Sequence, residues 1–167
     1  MAFDKLQARL DDIEEMSSKI LETPITAPLS AEEGVESIYV NALVRERLKQ
    51  LWEREPYSSM RLRLDFVLPD AATVRVSGPW LRRVFDILVD NAVEAMAHSS
   101  TRQLAVATQP VHSGAEIVIT DTGRGIPEDM VPKLFQEPIQ KAKGTRGLGV
   151  GLLLAQTIVQ TYGGGNQ

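Results

Sequence analysis

The sequence predicts an α+β fold: a two-layer α/β sandwich with one mixed sheet covered on one face by helices, preceded by an N-terminal stalk helix. Three observations predict it. Apolar residues recur at steps of three and four in separated segments, the mark of amphipathic helices. Between those segments lie short alternating runs such as MRLRLDFVL. Their order is helix, strands, helix, strands, helix, which suits one sheet backed by helices better than a barrel or a bundle.

From Phe3 to Leu21 the apolar positions are Phe3, Leu6, Leu10, Ile13, Met16 and Ile20, a narrow seam that packs on another helix. TPITAPLSAEEG, Thr23 to Gly34, breaks the pattern with two prolines and reads as a linker. Three segments follow from this: residues 1–22 as the end of a stalk, 23–34 as a linker and 35–167 as one domain. A second amphipathic helix is expected over Val35–Arg54, with Ile38, Ala42, Leu48 and Leu51 inward. MRLRLDFVL should be a strand with Leu62, Leu64 and Phe66 on one face, and DAATVRVSG a shorter one. Ser77-Gly78-Pro79 opens a helix, because proline at the first helical position loses no needed N–H. That helix should run to about Ala97 and bury Leu81, Phe85, Leu88, Ala92 and Ala95. Strands near Gln103–Thr108 and Ala115–Thr120 flank a turn at His112-Ser113-Gly114, and a final helix is expected from about Val150 to Tyr162.

Bulk properties narrow the function. A chain of 167 residues with 43% hydrophobic content holds one packed core. Its net charge of −4 and 5% aromatic content speak against a nucleic-acid partner. Without cysteine there is no disulfide framework, thiolate metal site or cysteine nucleophile, and two histidines are too few for an imidazole metal cluster. No signal peptide and no apolar run of membrane-spanning length occur, so this chain is expected to be cytoplasmic and without membrane contact of its own, even if a longer parent is anchored.

Three stretches could carry chemistry. In ILVDNAVEAMAH, Ile87, Asn91, Glu94 and His98 share one helical stripe. Asparagine is a poor mid-helix residue, so Asn91 is either merely solvated or presents an amide oxygen to a hard cation such as magnesium. In DTGRGIPEDM, Asp121 ends a strand and runs into Gly123 and Gly125. This is either an ordinary acid–glycine turn or a carboxylate awaiting a donor, such as a purine's exocyclic amine, beside bare backbone that a flat ring can approach. In KGTRGLGVGLLLAQTIVQTYGG, Gly144, Gly147, Gly149 and Gly151 lead into a helix whose first N–H groups are unpaired, an arrangement suited to anions. It is neither a P-loop nor a dinucleotide fingerprint. Lys141, Lys143 and Arg146 form a local basic cluster beside it.

In this order and at these separations, the three stretches resemble the N, G1 and G2 boxes of the ATP-binding catalytic domain of sensor histidine kinases, of the Bergerat-fold superfamily. LFQEP, Leu134 to Pro138, stands where that family has its F box. The resemblance spans roughly Val35 to Gly164, and the NAVEAM form of the first box looks most like kinases of the nitrogen-regulation type. It implies ATP and Mg2+ as ligands, with Asn91 holding the metal between phosphates, Asp121 reading the adenine amino group, and Gly123 and Gly125 beneath the ring. It implies a phosphate loop at Gly147, Leu148, Gly149, Val150 and Gly151, with Glu94, Ile126, Lys143 and Arg146 completing the contacts. Residues 127–147 would be a lid with Phe135 as its anchor. The seam helix resembles the second helix of the dimerisation and histidine-phosphotransfer domain. This implies a homodimer through residues 3–21, a helical phosphoacceptor domain of the same protein and a response regulator as partners.

The implied activity is transfer of the ATP γ-phosphoryl group to a histidine outside this chain. Neither His98 nor His112 stands in a phosphoacceptor context, so self-phosphorylation is not expected. Ile87, four residues before Asn91, cannot activate water as a carboxylate base there would, so brisk hydrolysis is not expected either. The sequence stops at TYGGGNQ where the family adds a closing strand pair, and it opens with a short helix; both features predict a truncated piece of a longer protein. Two other readings stand beside this one: a regulatory nucleotide-binding module without phosphotransfer, and a serine kinase of the anti-sigma-factor type, which lacks the stalk. A protein–protein scaffold using the seam alone would leave the glycine loops unexplained.

Overall fold

The structure is a computed structural model that describes residues 34–134 and 151–163. These belong to the second of two units into which the chain divides, Ala31–Gln167. The expected seam helix, nearly all of the linker, Phe135 and the basic and glycine-rich residues 141–150 lie outside the described residues.

Strand β1, Val35–Tyr39, runs straight into helix α1, Val40–Trp52. A 3-10 turn at Tyr57–Ser59 leads to β2, Arg61–Phe66, and then β3, Thr73–Ser77. Helix α2, Gly78–Ala95, precedes the hairpin of β4, Gln103–Val111, and β5, Gly114–Asp121. A second 3-10 turn covers Val131–Lys133, and helix α3 spans Gly151–Thr161. The α+β class expected from the element order is the class observed.

One expected element is corrected. The helix predicted over Val35–Arg54 begins only at Val40, because VESIY pairs antiparallel with β3 from Val35–Ser77 to Tyr39–Thr73. Valine, isoleucine and tyrosine fit a pleated surface, and ladder pairing overrides the helical period that Ile38 and Ala42 suggested. Ala42 is accordingly exposed, whereas Leu48 and Leu51 are buried together with Val40, Leu43 and Val44.

Strand β4 lies at the centre of a mixed sheet, parallel to β2 and antiparallel to β5. β1 and β3 form a separate two-stranded ladder, so the backbone hydrogen bonds divide the strand layer in two. Both parts turn apolar residues toward the same helices: Leu104 and Val106 of β4, Ile119 of β5 and Val74 of β3 pack with Leu48 of α1 and Phe85 of α2. Leu64, expected inward with Leu62 and Phe66, is 44% exposed. It sits on the outer strand of its ladder, where cover is incomplete.

Helix α2 is buried on two sides. Phe85, Val89, Ala92 and Met96 face the strands and α1, while Val84 and Ile87 pack with Ala155 and Ile158 of α3. The expected inward set included Leu81, Leu88 and Ala95, which are only half-buried. The difference arises because a second helix claims the flank, turning a single apolar stripe into a wide one.

A polar network inside the core ties three elements together. Asn41 of α1, fully buried, donates through Nδ2 to the Leu68 carbonyl at 2.7 Å and to Asp70 Oδ1 at 2.8 Å. Its Oδ1 accepts from the buried Thr108 hydroxyl of β4 at 2.6 Å. The Asn41 amide, with Arg45 beside it, holds the Asp70 carboxyl below the usual range. On the far side of α2, Arg47 grips Asp86 through Nε and Nη2 at 2.6 and 2.7 Å, and the Tyr57 hydroxyl donates to Asp90 Oδ1 at 2.5 Å.

Two expectations follow. Asn41→Ala strands the Thr108 hydroxyl and the Leu68 carbonyl, so urea unfolding should show a loss of about 2–4 kcal/mol, whereas an exposed asparagine would cost almost nothing. Burial, with the hydrogen bond to Asp90 second, pushes the Tyr57 hydroxyl up to about 12 from its ordinary 10.0. A group raised in the folded state stabilises below its unfolded value and loses that contribution as pH rises through the folded one. The stability difference between the native chain and Tyr57→Phe should therefore shrink between pH 10 and about 12, as read by denaturant midpoints across that range.

Candidate functional site

Three residues one turn apart on α2 organise the candidate site: Ile87, Asn91 and Ala95. Positions i, i+4 and i+8 of a helix lie on one stripe. At one end of this stripe sits the first residue of α3. A Cβ placed on Gly151 would come within 3.2 Å of Ile87 Cγ2, so the start of α3 rests on that side chain. From there α3 runs back along α2: Ala155 and Ile158 pack with Val84 and Ile87, and Tyr162 borders the same cluster. Its N-terminus, the positive end of the helix dipole, is thereby left at the Ile87 end of the stripe, one turn from Asn91.

At the other end sits the turn that leaves β5. A Cβ on Gly123 would fall 2.7 Å from the Ala95 carbonyl carbon, oxygen and Cβ, so only glycine lets the turn approach so closely. The Arg124 N–H donates to the Ala95 carbonyl at 3.3 Å and seals the contact. Asp121 Oδ1 accepts from the Gly123 N–H at 2.7 Å, and the adjacent Thr122 hydroxyl donates to the Thr101 carbonyl at 2.7 Å while accepting from the Gln103 N–H at 3.0 Å. Gly125 follows with φ +70, a conformation that favours glycine, and nothing crowds it.

Asn91 lies between these two contacts. Its Nδ2 is buried with no hydrogen-bond partner, a condition that costs about 1–3 kcal/mol when nothing compensates. No hydrogen bond of Nδ2 fixes the orientation of this amide. Asp121 combines both readings of its motif: one oxygen closes an ordinary acid–glycine turn, and the other has no partner among the described residues. Glu94 is half-buried one turn beyond Asn91, and Ile126 is exposed past the turn.

The structure thus sets Gly151 and Gly123 against the helix one turn on either side of Asn91, with Asp121 bonded to the Gly123 N–H. Lys141, Lys143, Arg146, Gly147, Leu148, Gly149 and Val150 lie outside the described residues, so the basic cluster and the glycine loop are not placed. No group of three or more acidic, histidine or cysteine residues able to hold a metal occurs among the described residues. A lone asparagine fits a magnesium ion only where phosphates supply most of its oxygens. Sequence reasoning missed Ala95, Thr122 and Thr101 as the scaffold of the turn. The only available signal was a small residue four positions after Asn91.

Gly123→Ala tests the close approach. The added methyl meets backbone atoms that cannot rotate away, so a loss of about 1–3 kcal/mol is expected in thermal or urea unfolding. Ala95→Gly in the same chain should restore little, because it removes one of three opposing atoms.

Comparison with known proteins places this geometry. A family model described as histidine kinase-, DNA gyrase B-, and HSP90-like ATPase matches residues 77–166. The adaptive-response sensory kinase SasA of Synechococcus elongatus is 30% identical over 164 residues, 97% of this chain and 42% of its own length. The sensor protein FixL of Bradyrhizobium diazoefficiens is 37% identical over 112 residues, 66% of this chain and 21% of its own. This chain therefore spans less than half the length of either relative. The solved catalytic domain of the histidine kinase ThkA superposes with a TM-score of 0.64 at 21% identity, covering 75% of this chain and 81% of that one. ThkA in complex with the response regulator TrrA reaches 0.68 at 18% identity, covering 96% of this chain and 44% of that one. With the family model spanning more than half of its length and the same fold in solved kinase domains, the chain belongs to the histidine kinase-, DNA gyrase B-, and HSP90-like ATPase family.

Proposed function

We propose that this chain is the ATP-binding catalytic domain of a two-component sensor histidine kinase and acts on a phosphoacceptor histidine outside residues 1–167. One observation carries the reading: an unpartnered Asn91 amide lies between the start of α3 and the Asp121 turn, on one stripe of one helix. In this reading the free oxygen of Asp121 accepts from the exocyclic amine of adenine, and Gly123 and Gly125 leave room for the ring. Asn91 turns its amide oxygen to the metal of a magnesium–triphosphate. The first N–H groups of α3 face the phosphates, with Lys143, Arg146 and the loop Gly147, Leu148, Gly149, Val150 and Gly151 closing around them. Glu94 and Ile126 border the nucleotide. A magnesium ion would supply charge neutralisation on the transferring phosphoryl group.

The chain's own contribution is positioning. The γ-phosphoryl leaves the β-phosphate oxygen, ADP departs, and phosphorus bonds to a ring nitrogen of the acceptor histidine, whose proton passes to solvent. Ile87, buried and covered by Gly151, supplies no base to activate water, which favours transfer over hydrolysis. The kinase names of SasA and FixL support the reaction class, and the ThkA complex supports a response regulator as partner. A homodimer through residues 3–21, a helical phosphoacceptor domain and a cytoplasmic site of action complete the proposal. Among the described residues no helix is long and apolar enough to cross a membrane.

A second reading is a nucleotide-sensing module without phosphotransfer, in which Ile87 leaves the bound nucleotide unhydrolysed. Calorimetry with a non-hydrolysable ATP analogue tests what both share. Magnesium-dependent binding should be lost in Asn91→Ala, and Asp121→Asn should weaken adenine binding about 10–100-fold while leaving the fold intact. Unchanged binding in both variants would reject the site. Labelled phosphate from Mg-ATP appearing on the parent protein's phosphoacceptor hairpin would then select the kinase, and binding without transfer the sensor.

A further inference from the structure

Away from the α2 stripe, a polar depression of about 260 Å3 opens where β2 and β4 begin, lined by Ser59, Arg61, Ser100, Thr101 and Arg102. Ordinary ligand pockets run from about 300 to 1,000 Å3, so this one is too small for a nucleotide but ample for a tetrahedral anion with a water or two.

Its lining is one-sided. Two arginines, two serines and a threonine contribute, and no acidic residue does. The Arg61 N–H donates to the Arg102 carbonyl at 3.0 Å, which ties the two backbones together at the start of the parallel ladder, where Arg61 pairs with Gln103. Elsewhere the structure pairs Arg45 with Asp70, Arg47 with Asp86 and Arg82 with Glu46. Neither Arg61 nor Arg102 has a side-chain hydrogen bond or ion pair among the described residues. The Ser59 hydroxyl is spent on the Pro56 carbonyl at 2.9 Å, so Ser100 and Thr101 supply the neutral donors.

We propose that this depression binds a small phosphate-bearing anion, either inorganic phosphate or a compact phosphomonoester. Guanidinium groups offer paired N–H donors matched to phosphate oxygens, and a lining with two arginines and no acidic residue favours an anion. The rim is open to solvent, so salt screening weakens the binding. Thr101, whose carbonyl accepts from Thr122, is one of the lining residues, so the depression adjoins the Asp121 turn through it.

The test is an amide-resolved NMR titration of the whole chain with inorganic phosphate, and in a second arm with glycerol phosphate, at fixed ionic strength set by chloride. Saturable shifts are expected at Ser100, Thr101 and Arg102, weakened about tenfold or more in Arg61→Gln/Arg102→Gln. The single Arg102→Gln variant serves if the double one loses its Tm. Response in both arms assigns a phosphomonoester site, and response to phosphate alone assigns the free ion. The proposal is overturned if those amides do not respond, if the variants respond equally, or if shifts appear only at Asn91 and Gly151. The ATP analogue provides the separate control. Its failure to bind would strike the nucleotide reading and leave this one standing, while its unchanged binding in Arg61→Gln/Arg102→Gln is the expected result.

Discussion

The contact of Gly123 with the Ala95 backbone is the constraint on which the rest of the site depends. Strand β5 and helix α2 belong to different layers, and nothing in either forces the turn after the strand's last carboxylate onto the helix one turn from its asparagine. A bare α-carbon against a helical carbonyl does so, and the Arg124 N–H fixes the approach. A second glycine, Gly151, performs the same service for α3 one turn on the other side of Asn91. The site is thus built by two close backbone approaches to one helix, with the polar side chain left between them.

That geometry needs a rigid α2, which accounts for how the helix is held. Its inner side packs on the strands through Phe85 and Val89, its flank on α3 through Val84 and Ile87, and its outer side is gripped by Arg47 and Tyr57 through Asp86 and Asp90. Held on three sides, the helix has little freedom to roll and carry Asn91 away from its neighbours. The Asn41–Thr108 bond extends the hold to the strand layer by joining α1 to β4 inside the core. Buried networks of this kind rigidify only when every member is satisfied, as here.

Much of this was legible in the sequence, for identifiable reasons. Periodicity and the Ser-Gly-Pro start located α2 within a residue or two, and alternation located β2, β4 and β5, because those signals are local. β1 was misread as helix because its strand character depends on β3, some 40 residues later, and pairing between distant segments leaves no local mark. The two-sided burial of α2 was missed for a similar reason: α3 must be present before Ile87 and Val84 count as core. Within the site, Asn91, Asp121 and the glycines stood out because each is costly in an ordinary role. Ala95 and Thr101 did not, because alanine in a helix and threonine in a loop cost nothing. Asn41 escaped notice as well, since a polar residue in an amphipathic helix is normally assigned to its wet face.

The bond from the Gly123 N–H to one oxygen of Asp121 has a wider bearing. It freezes the torsions of that side chain, so the remaining lone pairs point in a set direction before any partner arrives. The entropy of immobilising such a side chain, about 0.5–1.5 kcal/mol, therefore falls on folding and is absent from molecular recognition. An acid held in this way presents its charge with a fixed aim, and a lengthened acid at residue 121 would forfeit that aim even with its charge unchanged.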